Sequence, residues 1–190
     1  MADTNKVLFG FSDLYVGTYT VASDGTVTLG TPYHQKGAVG FSPEESSDNN
    51  IFYADNIAYY TSYNTGTHAG DLTVAKFDDE FKTKFLDYIT LDDGGLAQVK
   101  GKARPSVYLM YAIQGDSKNR KVIFYNGTFG PIRREEATIE DVKTPITEVL
   151  TATFVGDNAT GITKVTYNEG DAGYATLFTN PPVPALPSNS

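Results

Sequence analysis

A chain of 190 residues is long enough for one packed domain without staples, since a domain of this size buries about 70% of the surface its unfolded chain exposes. It holds no cysteine, which excludes disulfides, thiolate metal sites and cysteine nucleophiles, and its formal charge of −8 argues against wrapping nucleic acid, which needs clustered Lys and Arg. No apolar run approaches the roughly 20 residues of a membrane helix, and the Met-Ala-Asp start shows no basic-then-apolar leader, so the reading is a cytosol-made chain with no signal peptide and no membrane partner.

Aromatic residues, Thr, Val and Gly recur in short alternating runs between turn signals, a mainly β pattern. KVLFGFSDLYVGTYTV (6–21) supplies the first extended segments, Ser23-Asp24-Gly25 a turn, and TVTLGTPYHQ (26–35) a short strand. GFSPEESSDNN (40–50) is polar, acidic and broken by Pro43, so about 42–50 reads as an exposed loop. It is either a solvated connector or an arm reserved for a partner subunit.

The tyrosine-rich stretch FYADNIAYYTSYNTGTHAGDLTVAKF (52–77) reads as two strands, about 52–63 and 70–77, with a polar turn between them. On the first, Ile57, Tyr59, Thr61 and Tyr63 share one face; Asn56, Ala58, Tyr60, Ser62 and Asn64 share the other. On the second, Leu72 and Val74 oppose Asp71, Thr73 and Ala75. Each strand thus has a larger, more apolar face and a smaller, more polar one, as a half-buried sheet does.

DDEFKTKFLDYI opens the one predicted helix, about 78–90, with Asp78 or Asp79 as cap and Glu80 at the positive end of the dipole. Phe77, Phe81, Phe85 and Tyr88 fall on one stripe, which is read as core packed on the sheet. Asp92-Asp93-Gly94-Gly95 turns the chain. SVYLMYAIQ and KVIFYNGTF then flank a hairpin turn at 115–120. IRREEATIEDVKTP (132–145) is a charged loop, ITEVLTATFV (146–155) a strand and GYATLFTN (173–180) a last short one. The expected organisation is a single domain over 1–180 and a Pro-rich tail over 181–190 with no core of its own.

Catalytic chemistry finds no foothold in these residues. The two histidines, His34 and His68, each fall in a predicted loop without a patterned partner. There is no G-x-S-x-G, H-E-x-x-H, P-loop or dinucleotide fingerprint. Asp92 and Asp93 lack the acidic spacing of a calcium loop. No cofactor and no enzyme activity are expected.

Three stretches carry a family resemblance: NKVLFGFSDLYVGTYT; GAVGFSPEESSDNNIFYADNIAYYTSYNTGTHAGDLTVAKF; and RPSVYLMYAIQG with RKVIFYNGTFGPI and EEATIEDVKTPITEVLTATF behind it. Over about 6–178 the chain resembles the major tail protein, or tail tube protein, of long non-contractile-tailed phages (siphophages) of Gram-positive bacteria. The resemblance rests on order and spacing across the chain.

It implies a β-sandwich or half-barrel of two sheets with one flanking helix. It implies a structural virion protein, made in the host bacterial cytoplasm, that polymerises with itself as stacked hexameric rings. The tube would enclose the tape measure protein, meet tail terminator and distal tail proteins, and conduct DNA at ejection without binding it specifically. Some relatives carry a further immunoglobulin-like domain; none is expected here.

On that reading the smaller face (Asn56, Ala58, Ser62, Asn64, Asp71, Thr73, Ala75) lines the lumen, because DNA in passage needs few cations and no stacking platforms. Ile57, Tyr59, Leu72 and Val74 join the core with the helix stripe. The segment holding Ser42, Pro43, Glu44, Glu45, Asp48 and Asn49 becomes an inter-ring contact, and removing 181–190 is expected to weaken stacking more than folding. The competing reading is a carbohydrate-binding or adhesin-like β module, since tyrosine-rich sheets stack on sugars.

Overall fold

The structure, a computed structural model, describes residues 10–54, 57–115, 118–134 and 146–187; over 47–54 and 57–65 it describes the backbone alone. The fold is mainly β, with two sheets and one helix among the described residues. In chain order come β1 (Phe11–Val21), β2 (Val27–Leu29), β3 (Tyr33–His34), β4 (Ala38–Ala54), β5 (Ile57–Val74), α1 (Asp79–Phe85), β6 (Tyr88–Thr90) and β7 (Leu96–Gln98). They are followed by β8 (Val107–Ile113), β9 (Lys121–Phe129), β10 (Arg133–Arg134), β11 (Glu148–Phe154) and β12 (Lys164–Tyr167).

The large sheet runs β2-β1-β8-β9-β11-β5-β4, all antiparallel, with β3 on β1, β10 on β11 and β12 on β9; β6 and β7 form a separate hairpin. The sheet curls without closing. Phe41 of β4 meets the rings of Tyr111, Phe124 and Phe154 at 6.0, 5.7 and 6.3 Å, so β4 faces β8, β9 and β11 across one interior. Leu14, Val16, Leu72, Val74, Leu109 and Leu150 fill that interior.

β8 and β9 are buried on both faces. Their inward residues Leu109, Tyr111, Val122 and Phe124 join the main core, and their outward residues Tyr108, Met110, Ile123 and Tyr125 join a second cluster with Tyr19 and Leu177. Such strands read as near-continuous apolar runs, as VYLMY and VIFY do.

Phe77, Phe81 and Phe85 are buried together, ring centroids 4.8 and 5.1 Å apart, with Tyr88 half-buried beside them. The helix is shorter than the expected 78–90. It stops at Phe85 because Tyr88–Thr90 pairs with Leu96–Gln98 across the Asp92–Gly95 turn, and the β-branched Ile89 and Thr90 suit a strand. Asp78 stands at the N-cap, but its side chain accepts from the Tyr33 hydroxyl (3.1 Å) rather than capping the helix.

Three further expectations change. Segment 42–50 is not a loop: it is strand, paired residue by residue with β5. Pro43 fits because β4 is the edge of the sheet, where a missing N–H costs least. The 52–77 stretch is not two strands about a turn in its middle: Phe52–Ala54 ends β4, and Ile57–Val74 is one continuous strand, β5, whose partner is β4. The polar Asn64-Thr65-Gly66 signal is a bulge, not a turn: Ser46 stands opposite Thr67 and Ser47 opposite Thr65, which leaves Gly66 extra at φ +150, a conformation glycine tolerates. GYATLFTN is a run of turns instead of a strand, closed by the Thr179 and Asn180 amides on the Thr176 carbonyl (3.0 and 2.7 Å). β12, which the pattern reading passes over, pairs with β9 instead.

The tail also begins inside the fold. Pro184 is buried, and the buried Tyr125 hydroxyl donates to the Pro182 carbonyl at 2.8 Å. A chain ending at residue 180 strands that hydroxyl and is expected to lose about 1–3 kcal/mol of stability, whereas one ending at 187 melts like the parent. Urea unfolding of the two truncations checks this.

Candidate functional site

Two surfaces are built by β4 and β5, and register decides both. β11 pairs with β5 only over His68–Val74, so among the described residues the distal part of β5 has β4 as its one paired strand. The hairpin of 17- and 18-residue strands is about 55–60 Å long at the usual rise. Roughly half of it is therefore a two-stranded ribbon, marginal by itself in water unless another surface covers it.

The proximal half belongs to a sheet face opposite the core. There, neighbouring strands place Thr128 of β9 opposite Thr153 of β11, Thr153 opposite Ala69 of β5, and Ala69 opposite Glu44 of β4. The next row runs Thr151, Asp71, Ser42, and the one beyond it Arg133, Val149, Thr73, Gly40. Ser42, Glu44 and Asp71 are exposed; Thr73, Thr151 and Thr153 are half-exposed. No other element of the described chain covers these rows, and an antiparallel sheet tolerates one solvated face. The face is small, hydroxyl-rich and weakly acidic.

Asp71 is its electrostatic centre. The carboxylate Oδ1 accepts from Arg133 Nη2 at 2.5 Å and from Thr151 Oγ1 at 2.9 Å, and the same Arg133 nitrogen reaches Thr151 Oγ1 at 3.2 Å. The adjacent Arg134 turns to the other side of β10, where it donates to buried Glu148 (3.2 Å), whose second oxygen accepts the Phe77 amide (2.7 Å).

The root of the ribbon is pinned. Thr163 Oγ1 donates to the Gly66 carbonyl at 2.8 Å, tying the bulge to the loop before β12. That loop is set by buried Asp157, which accepts from the Tyr19 hydroxyl (2.6 Å) and from the Thr160 amide and hydroxyl (2.7 and 2.6 Å). Burial works against the Asp157 charge, but these hydrogen bonds outweigh it and hold the carboxyl below its ordinary value. Its stabilisation is therefore complete above the unfolded value of about 3.9 and is lost as pH falls through the lower folded value. Asp157→Asn is expected to cost about 2 kcal/mol at pH 7, and the gap to the parent narrows by pH 2.5. Urea midpoints at the two pH values check this.

Both histidines sit on strands, not loops. His34 stacks on Tyr15 at 4.5 Å. His68, where β11 pairing ends, lies against the Phe124 ring at 5.3 Å with Nδ1 buried and unpartnered. Burial lowers its pKa, with Glu45 opposing and Lys164 adding to the shift. Among the described residues no three His, Asp or Glu side chains are grouped to hold a metal.

The residues singled out in the sequence divide as follows. Asp71 and Thr73 stand on the open face, and exposed Ala75 follows the end of β5. Ser42 and Glu44, assigned in the sequence to a separate loop, are register partners of Asp71 and Ala69 and so belong with them. Pro43 and Glu45 alternate with these. Asp48 and Asn49 stand opposite Asn64 and Tyr63 in the ribbon, and Asn50 opposite Ser62.

β5 has two residues, Thr65 and Gly66, between Asn64 and Thr67 where β4 has only Ser47, so the Gly66 bulge keeps Asn64 and Ser62 in phase with Asp71. A second register shift puts Ala58 opposite Tyr53, out of that phase. Asn56 lies outside the described residues, and Ile57 and Tyr59 lie on the stretch described by backbone alone. Leu72 and Val74 are fully buried. Thr128, Thr151, Thr153 and Arg133 had no sequence signal to join them to this face; only strand pairing does.

No curated protein matches the chain. Among solved structures it is similar to the cryo-EM structure of the anti-feeding prophage cap, a tube terminating cap, at 9% identity with a TM-score of 0.44, covering 88% of this chain and 99% of that one. The model of the phage tail tube protein family matches residues 2–128, well over half of the chain. The protein belongs to the phage tail tube protein family: it is a structural component of the virion tail, not an enzyme.

Proposed function

We propose that the chain polymerises as hexameric rings stacked into the tail tube of a siphophage of Gram-positive bacteria, that the tube encloses the tape measure protein and later conducts DNA, and that its ends meet terminator and distal tail proteins. Residues 1–180 with the docked start of the tail act as one building block. The observation that carries the reading is the β4–β5 hairpin: a half-sheet continued by a ribbon with which no other described strand pairs. In a ring, neighbouring copies cover the ribbon and the β4 edge, which an isolated sheet would leave open to non-specific pairing. Asp48, Asn49, Asn64 and Ser62 then belong to contacts between subunits.

The face of Ser42, Glu44, Asp71, Thr73, Thr151 and Thr153 lines the lumen. It presents no aromatic platform to bases and little cationic charge to phosphates, which is what passing DNA requires. Negative-stain microscopy of the purified protein across a concentration series tests assembly. Uniform rings or tubes support the reading. Compact monomers at every concentration, together with binding in a glycan screen, would replace it with a sugar-binding β module.

A further inference from the structure

Arg133 is the one basic residue among those that strand pairing brings to the open face, and it is 57% exposed against 50% for Asp71. An ion pair this exposed adds little to stability, so stability does not account for it. A free guanidinium, in contrast, forks onto phosphate oxygens and would recur in every subunit along a tube. We propose that Asp71, helped by Thr151, is the counter-ion that keeps Arg133 from gripping DNA, which makes Asp71 a residue that sets the non-stick character of the lumen; this rests on the lumen reading given above. Asp71 Oδ1 occupies Arg133 Nη2, and Thr151 Oγ1 bridges the two, so one of the nitrogens that would fork onto a phosphate is already engaged beside a neutralising carboxylate.

The test is co-sedimentation of assembled tubes with a fluorescent 20-base-pair duplex at 50 and 200 mM salt. Asp71→Asn, and Asp71→Thr as a second variant that suits a strand, are expected to retain at least about tenfold more duplex than the parent at 50 mM, and the excess fades at 200 mM. Adding Arg133→Gln to either variant returns retention to the parent level. Thr153→Lys, which places a cation two residues along the same face, is expected to retain duplex regardless of Asp71. If Thr153→Lys retains duplex and both Asp71 variants do not, the counter-ion role is wrong while the lumen reading stands. If Thr153→Lys also retains none, the lumen reading falls, and the proposal with it.

Discussion

Replacing residues 47–66 by Asn-Gly is expected to give a chain that folds and does not assemble. Ser46 and Thr67 are register partners, so a two-residue link between them closes the short hairpin that Asn-Gly favours. The pairing of β5 with β11 over His68–Val74 is untouched, and so are the core residues Leu72 and Val74 that it carries. The excision does remove the hydrogen bond from the Thr163 hydroxyl to the Gly66 carbonyl, about 1 kcal/mol, which shifts melting by roughly 2–4 °C for a domain of this size. Assembly loses the ribbon that, on the proposed reading, neighbouring copies cover. Sedimentation velocity is expected to show a monomer at concentrations where the parent is fully polymerised. Tubes forming at the parental concentration would mean that the ribbon is not an assembly element.

Gly70→Val is expected to fail earlier, at folding. A Cβ at position 70 would stand 2.1 Å from the Ser42 carbonyl oxygen and 2.7 Å from the Pro43 Cα. Both are backbone atoms of the paired strand, so no side-chain rotation relieves the clash, and β4 must separate from β5. Overpacking of this kind costs about 3 kcal/mol, a fall in melting temperature of roughly 6–12 °C. The variant discriminates between the two readings of segment 42–50. A loop there would leave room for valine and an unchanged melt; a paired strand does not.

That segment also marks the limit of what the residues disclose. Acidic, Pro-broken 42–50 has no apolar alternation because the positions that follow Phe41 on its side of the strand are Pro43 and Glu45, and a strand without apolar residues on either side carries no periodic signal. Its strand character comes from pairing with β5, which is non-local. Local signals fared better. The Phe77–Phe81–Phe85 stripe, the β8–β9 hairpin and the alternation at 71–74 all rest on burial against neighbours that the pattern itself encodes. The helix overran because Tyr88 continues the stripe, and only the β6–β7 pairing shows the chain has already become extended. Leu177 and Phe178 gave GYATLFTN the look of a strand, yet they reach the second core cluster from consecutive turns.

The open face was half legible. Asp71 and Thr73 follow from alternation against Leu72 and Val74. Their neighbours Ser42, Thr151 and Thr153 come from segments 29 or more residues away and are joined by register alone. Gly66 is the instructive residue. Read locally it is a turn glycine, whereas in the sheet it is the extra residue that keeps the polar phase of the ribbon continuous with that of the face.

Because the chain has no cysteine, Thr151→Cys gives a single label on the face proposed to line the lumen. Tubes and monomers of this variant would be treated side by side with a small maleimide and with one carrying a polymer too large to enter a tube. The expected result is that monomers react with both reagents and tubes with the small one only. Tubes that react equally with both would put position 151 on the outer wall, and tubes that react with neither would put it in a sealed contact between subunits; either result contradicts the lumen assignment.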